Sequence, residues 1–486
     1  GKIIFSSTRA QRIVYCAPQA VTTLYVMDAD GKNLRRLSEN PISETLPTML
    51  NDGRVIYTRW EYLDKGLGSV QNLWAMRPDG RGVDHVYKLM HTWPAGMGAT
   101  RAIPGSEKVV TVAGNHYHPS MGSVVLLDVR RSRRTTEPME CITPEIPYRH
   151  TYSGELPTGA FTDPYPLSEK FFLASYRTGG VTYKAGAEFG LCLLDAWGNR
   201  AELYRDPEIS CFEPMPLRPR RKPLEVVAAP EIDAIGRKKK TGTMFIQDIY
   251  EGMTGIERGR VRYVRVMGNL EWPWDQTGMS WSLGVDPHRK VVYGVADVHE
   301  DGSAHFRVPA DENIFFQALD KDFLALQEMA TYINIMPGES RSCIGCHEHR
   351  RKAPGIAAGR PLAMARPAQK LVPQPGDTAV RVVDFTADIQ SIIDKHCIDC
   401  HSGKNAKGRL DLLNVPDGKF SRTYNNLIAT DLVRYRGRGV AGNKAVPPLT
   451  HGSRASQLLG MLGKGHPDSP SGSAVTGKTR VKLTRE

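Results

Sequence analysis

No stretch of the 486-residue sequence approaches the roughly 18 consecutive apolar residues that a membrane-spanning helix needs, so no membrane span is expected. No charged-then-apolar leader opens the chain. Gly1-Lys2-Ile3-Ile4-Phe5 reads as a strand already under way, so either a leader was removed or the chain begins inside the protein. Phosphate-binding Gly-x-x-x-x-Gly-Lys-Ser/Thr is missing, and so is a Gly-x-Gly-x-x-Gly between strand and helix. Zinc-finger, RNP and helix-turn-helix spacings are missing too, so the net charge of +12 does not point to nucleic acid. The basic residues instead sit in short runs, such as Arg130-Arg131-Ser132-Arg133-Arg134, Arg218-Pro219-Arg220-Arg221-Lys222 and Arg237-Lys238-Lys239-Lys240. Such runs are solvated loops or a docking face for an acidic electron-transfer partner.

What remains is an ordinary globular composition, 40% hydrophobic, in a chain long enough for two or three domains. Residues 1–300 carry a repeat. Leu24-Tyr25-Val26-Met27-Asp28-Ala29-Asp30-Gly31 recurs as Leu73-Trp74-Ala75-Met76-Arg77-Pro78-Asp79-Gly80. Weaker echoes are Val124-Val125-Leu126-Leu127-Asp128 and Leu191-Cys192-Leu193-Leu194-Asp195. Each is an apolar strand running into an Asp/Gly turn, where positive φ is tolerated. A repeat of about 50 residues suits one four-stranded blade of a β-propeller. Further strands are expected at 243–250, 259–266, 304–308 and 314–319. Residues 352–380, rich in Pro, Ala and Gly, read as a linker. From Asp384, placed as a helix cap, Phe385, Ile389, Ile392, Ile393 and His396 follow helical spacing. The expected fold is mainly β. A propeller-like domain (1–300) leads to a mostly β segment and linker (301–380), then a small α-helical cytochrome c-like domain (381–486).

Four of the eight cysteines form two identical motifs, Cys343-Ile344-Gly345-Cys346-His347 and Cys397-Ile398-Asp399-Cys400-His401. Two thiols three residues apart can add to the two vinyl groups of one porphyrin, and the adjacent His then reaches the iron. One such motif arises by chance in roughly one shuffled chain in a few hundred, and two far more rarely. A shared Cys/His zinc site is the weaker reading, because the clusters lie far apart in sequence. Two haems c, attached at Cys343/Cys346 and at Cys397/Cys400, are therefore expected. Attachment of haem c places the chain in the periplasm or an equivalent extracytoplasmic compartment. Cys192 and Cys211 are candidates for a disulfide.

His401 is the proximal ligand expected at the second iron. His466, after an apolar helical stretch, is favoured as the distal one over His451, and Met461 is the non-His alternative. Two His ligands saturate an iron and suit electron relay. Around the first motif, His347 is the proximal candidate. His116 and His118, flanking Tyr117, are candidates for proton donation or for a second metal.

Several segments resemble the alpha subunit of hydrazine synthase and related dihaem proteins. They are Thr162-Asp163-Pro164-Tyr165-Pro166-Leu167, Leu194-Asp195-Ala196-Trp197-Gly198-Asn199 through Leu203-Tyr204-Arg205-Asp206, and Phe245-Ile246-Gln247-Asp248-Ile249-Tyr250. Asp301-Gly302-Ser303-Ala304 through Asp320, Pro337-Gly338-Glu339-Ser340-Arg341-Ser342 leading into the first motif, and His451-Gly452-Ser453 complete the set. The resemblance implies a propeller, a catalytic first haem and a bis-His electron-input haem. It also implies beta and gamma subunits, an electron-donor cytochrome and small nitrogen substrates: nitric oxide and ammonium are joined into hydrazine. A true hydrazine synthase would reside in the anammoxosome. The resemblance further implies that the motif His, here His347, turns to a zinc ion; Cys16 is a candidate for the cysteine on that zinc. A Tyr four residues after the motif His would hold the first iron, but Arg351 stands there, and Arg cannot act as an anionic ligand.

Overall fold

The computed structural model describes residues 1–14, 19–61, 68, 70–88, 91–148, 156, 158–180, 188–220, 222–226, 234–271, 289–346, 359–418, 420–435 and 446–464. These divide into two compact units, one of described residues up to 226 and one from 234 onward. The architecture is mainly β, with a small helical region toward the C-terminus.

The first unit is a series of antiparallel meanders. Strands β1 (Lys2–Ser7), β2 (Thr23–Asp28) and β3 (Arg35–Arg36) pair in order. Then come three four-stranded sets. The first is β4 (Glu44–Met49), β5 (Val55–Trp60), β6 (Gln71–Met76) and β7 (Asp84–Tyr87). The second is β8 (Gly96–Ala102), β9 (Val109–Gly114), β10 (Gly122–Leu127) and β11 (Met139–Cys141). The third is β12 (Gly159–Pro166), β13 (Phe171–Thr178), β14 (Gly190–Asp195) and β15 (Arg200–Tyr204).

The repeated apolar phrase falls on β6, β10 and β14, the third strand of each four-stranded set, and on β2, the middle strand of the first sheet. The turns after it repeat as well. Gly31, Gly80 and Gly198 each take positive φ and donate N–H back to Asp28, Arg77 and Asp195, at 2.9, 2.9 and 3.2 Å. Every residue of β6 and β10 is buried, including Gln71, Asn72 and Ser123 at the start of each strand, and the apolar run follows. Between the first two meanders the apolar core of Leu24, Val26, Tyr57, Trp74 and Met76 also takes in a charge. Arg59, fully buried, lies 4.4 Å over the Trp74 ring, with Glu44 at 3.8 Å and Glu61 at 3.6 Å.

The second unit opens with a short helix, α1 (Ala234–Lys238). It is built on β16 (Thr241–Ile246), β17 (Tyr263–Asn269), β18 (Lys290–Asp297), β19 (Ala304–Pro309), β20 (Asn313–Leu319), β21 (Ala325–Glu328), β22 (Ile333–Asn334), β23 (Ser340–Cys343) and β24 (Arg381–Val382). One sheet runs β21-β20-β17-β18-β24; the other runs β19-β16-β23. Because β16 and β17 pair with β19, β20 and β23, residues from 234 onward pack here, although the sequence reading drew its first boundary at residue 300. Within 359–380, Gln369 and Val372 form bridges to β19 and β18, so this stretch lies along the sheets.

Arg381 joins β24 to the helical region, pairing with Asp377 at 2.6 Å and Asp388 at 2.8 Å. That region starts where the sequence placed it. Asp384 accepts from Ala387 N–H at 2.9 Å, and a π-helical turn (Phe385–Gln390) runs into α2 (Ser391–His396). Helices α3 (Arg422–Ala429) and α4 (Gln457–Lys464) follow. Among the described residues, no helix is long and apolar enough to cross a membrane.

Candidate haem-attachment sites

The second motif sits on the end of a helix. Cys397 is the C-cap of α2 and donates N–H to Ile393. The chain then folds on itself, with Cys400 N–H at 3.2 Å and His401 N–H at 3.0 Å from the Cys397 carbonyl. This tight turn keeps both thiols beside the helix end. His401 Nδ1 lies 3.2 Å from the Leu410 carbonyl oxygen. A carbonyl only accepts, so Nδ1 carries the proton and Nε2 is the unprotonated ring nitrogen. Asp411 braces this loop: it accepts from Gly403 N–H at 3.0 Å and from Arg422 at 2.9 Å.

The surroundings are apolar. Ile393, Leu412 and Leu427 are buried, with Phe385, Cys397, Ile398, Leu410, Leu432, Val433 and Leu458 packed against them. Burial raises the Cys397 thiol pKa. Two thiols on one turn, a histidine of fixed tautomer and an apolar wall fit a covalently attached haem. His451 lies in the same compact unit, within a segment tied to the β20–β21 hairpin. Leu449 N–H donates to Leu326 at 3.0 Å, and Arg454 Nε donates to Asp320 at 2.6 Å. His466 lies outside the described residues. Met461 lies on α4.

The first motif is mounted on strands. β23 runs parallel to β16, with Ile246 opposite Cys343. Cys343 and Cys346 pack on the buried core of this unit together with Tyr250, Met329, Leu371 and Leu449. Burial, with Cys343 beside it, pushes the Cys346 thiol up to about 12. The thiol pair and its apolar seat suit thioether attachment to a porphyrin. His347 and Arg351 lie outside the described residues, and so does Cys16, so the zinc assignment has no described ligand. Among the described residues, no group of three or more His, Cys, Asp or Glu side chains could hold a metal ion.

His116 and His118 belong to the first unit, in the β9–β10 connection. The His116 ring packs edge-on against Trp60 at 5.2 Å, and its carbonyl accepts from Gln71 at 2.6 Å. Burial, with Lys88 contributing, lowers its pKa to about 4. Burial lowers that of His118 too. His91 behaves alike, at about 4 for the same two reasons plus an opposing bond to the Trp93 carbonyl. All three are neutral bases at neutral pH. Cys192 and Cys211, the disulfide candidates, are both free thiols, Cys192 donating to the Ala174 carbonyl at 3.4 Å.

The sequence left several site residues without a role. Leu410 acts through its main-chain carbonyl, which no side-chain pattern reveals. Asp248 and Tyr250 stood in a resemblance segment, but with no chemistry attached to them.

Residues 240–348 match the family described as the hydrazine synthase alpha subunit middle domain, a span that includes β16 to β23 and the first motif. The curated hydrazine synthase subunit alpha of Kuenenia stuttgartiensis is 22% identical, over 56% of this chain and 44% of that protein. The chain thus spans less than half the length of that relative. The solved Kuenenia stuttgartiensis hydrazine synthase superposes with a TM-score of 0.73 at 17% identity, covering 100% of this chain and 75% of the other. Through residues 240–348 this chain is therefore similar in sequence to the middle domain of hydrazine synthase alpha subunits, and along its whole length it shares the fold of the Kuenenia stuttgartiensis enzyme.

Proposed function

We propose that this chain is an extracytoplasmic dihaem c-type oxidoreductase of the hydrazine synthase alpha kind. Cys343 and Cys346 hold the reaction-centre haem; Cys397, Cys400 and His401 hold a relay haem. The first unit is a β-propeller whose meanders are its blades. The observation that carries the reading is the second site. His401 Nδ1 is held by the Leu410 carbonyl, beside two thiols on one helix end and an apolar wall. Haem supplies one-electron chemistry there. The protein's part is to fix the imidazole tautomer, exclude water and bring the second haem's ligands together.

On this reading His466 or His451 completes the second iron, and electrons arrive from an outside cytochrome. His347 serves the first site, with zinc as a further ligand partner. His116 and His118 are neutral proton acceptors for a substrate step. Beta- and gamma-like subunits complete the assembly, and the substrates are nitric oxide and ammonium. Arg351 favours a second reading, because it removes the Tyr ligand that the resemblance implies. In that reading the chain is an electron-transfer cytochrome and the propeller is its docking platform.

One experiment separates the two. Reduced protein is titrated with carbon monoxide and nitric oxide, then turned over with nitric oxide, ammonium and electrons while hydrazine is measured. An open, ligand-binding first haem with hydrazine formed is the expected result. Two saturated low-spin haems and no product would establish the relay reading.

A further inference from the structure

We propose that Asp248 is the positioning residue of the first haem-attachment loop and that Gly345, inside the motif, is its obligatory counterpart; the inference rests on the haem reading above. The parallel pairing of β16 with β23 does not stop at the strand ends. It continues into the motif as Gln247 N–H to the Cys343 carbonyl at 3.0 Å and Asp248 N–H to the Ile344 carbonyl at 2.9 Å. Asp248 thus holds the backbone between the two thiols.

Asp248 is itself fixed from several sides. Its carboxylate accepts Tyr250 N–H at 3.1 Å and pairs with Arg258, whose guanidinium lies 5.2 Å over the Tyr250 ring. Its carbonyl accepts Glu251 N–H at 3.0 Å, and the neighbouring Ile249 N–H donates to Gly302 at 2.8 Å. The Tyr250 hydroxyl accepts Val261 N–H at 3.0 Å. Gly302 leaves room for the carboxylate: a Cβ there would stand 2.3 Å from Asp248 Oδ1.

Gly345 meets this turn face to face. A Cβ on Gly345 would stand 2.4 Å from the Glu251 carbonyl oxygen, 2.5 Å from Glu251 Cβ and 2.9 Å from the Asp248 carbonyl oxygen. These are main-chain atoms or a Cβ, so none can swing aside. The two thiols form the covalent links and the histidine reaches the iron, so the chemistry leaves the two middle positions free. Here the scaffold removes that freedom at the second of them. The other motif carries Asp399 at the equivalent position, and its loop closes through bonds between Cys397, Cys400 and His401 themselves. The first site is therefore mounted on a distant segment, and the second on its own helix.

The test uses the whole chain, produced with haem c attachment and read by peptide mass at each motif, absorption spectrum and reduction potential. If wild-type chain carries no haem on Cys343/Cys346, the haem reading fails before this inference is reached. With both haems present in wild type, Gly345→Ala is expected to lower first-site occupancy by about tenfold while the second site, an internal control, stays full. Asp248→Asn keeps the shape and the main-chain bonds but discards the charge that Arg258 meets. It is expected to load both haems and to shift the first haem's absorption and potential. It also stands alone as a test if Gly345→Ala does not fold. Wild-type spectrum and potential in Asp248→Asn would overturn the role of Asp248, and full first-site loading in Gly345→Ala would overturn that of Gly345.

Discussion

His401 Nδ1 faces the carbonyl oxygen of Leu410 at 3.2 Å, and this contact decides which ring nitrogen can meet a metal. Because the carbonyl cannot donate, Nε2 is left as the acceptor. Replacing His401 with Ala should leave a haem joined to Cys397 and Cys400 while its iron loses an axial ligand. Electron paramagnetic resonance should show the second haem passing from low to high spin, with the first unchanged. An unaltered low-spin signal would mean that His401 does not bind iron.

Arg454 fastens the segment that carries His451. It pairs with Asp320, almost wholly buried, and with Asp322, while Ser453 Oγ accepts Ala325 N–H at 2.6 Å. Arg454→Met leaves the Asp320 carboxylate short of its cation. The expected loss is about 1–3 kcal/mol in denaturant unfolding of this unit. If His451 is a ligand, the spectrum of the second haem should shift as well.

Arg59 is a cation buried in the first unit, over Trp74 and between Glu44 and Glu61. Burial raises the Glu44 pKa, and Arg59 is the strongest influence pulling it back down. Removing the cation strands carboxylates in a dry interface, so Arg59→Met should cost about 3–5 kcal/mol. Adding Glu44→Gln and Glu61→Gln should recover part of that loss. Chemical denaturation of the three variants checks both statements.

The pH dependence follows from His91 and His116, each lowered from 6.5 to about 4 mainly by burial, with Lys88 adding repulsion. In the unfolded chain these imidazoles take up protons near their ordinary value; in the folded chain they stay neutral. Their contribution to stability is therefore whole above pH 6.5 and disappears as the pH falls toward about 4. The melting temperature should drop across that window, and His116→Asn should flatten the drop. Melting that is level from pH 7 to pH 4 would contradict the burial of these rings.

Much of the fold could be read from local pattern. The phrases at Leu73, Val124 and Leu191 each became the third strand of a meander, and that at Leu24 the middle strand of the first sheet, because an apolar run closed by an Asp/Gly turn is a complete local instruction. Asp384 capped its helix for the same reason. What could not be read was pairing at a distance. Residues 241–246 lie beside 340–343 in parallel, and no periodicity connects segments so far apart. That is why the compact units divide near residue 230 and not at 300, and why the constraint on Gly345 was invisible. The thiols and His401 were legible because their spacing is their chemistry. The Leu410 carbonyl was not, since a main-chain acceptor leaves no mark in the sequence.

The most direct measurement is the intact mass of the purified native protein, taken with its reduced absorption spectrum. Thioether links at Cys343, Cys346, Cys397 and Cys400 predict a mass above the bare polypeptide by two porphyrins and sharp α and Soret bands that survive acid–acetone extraction. A mass equal to the polypeptide alone, or bound zinc with no visible bands, would contradict the account.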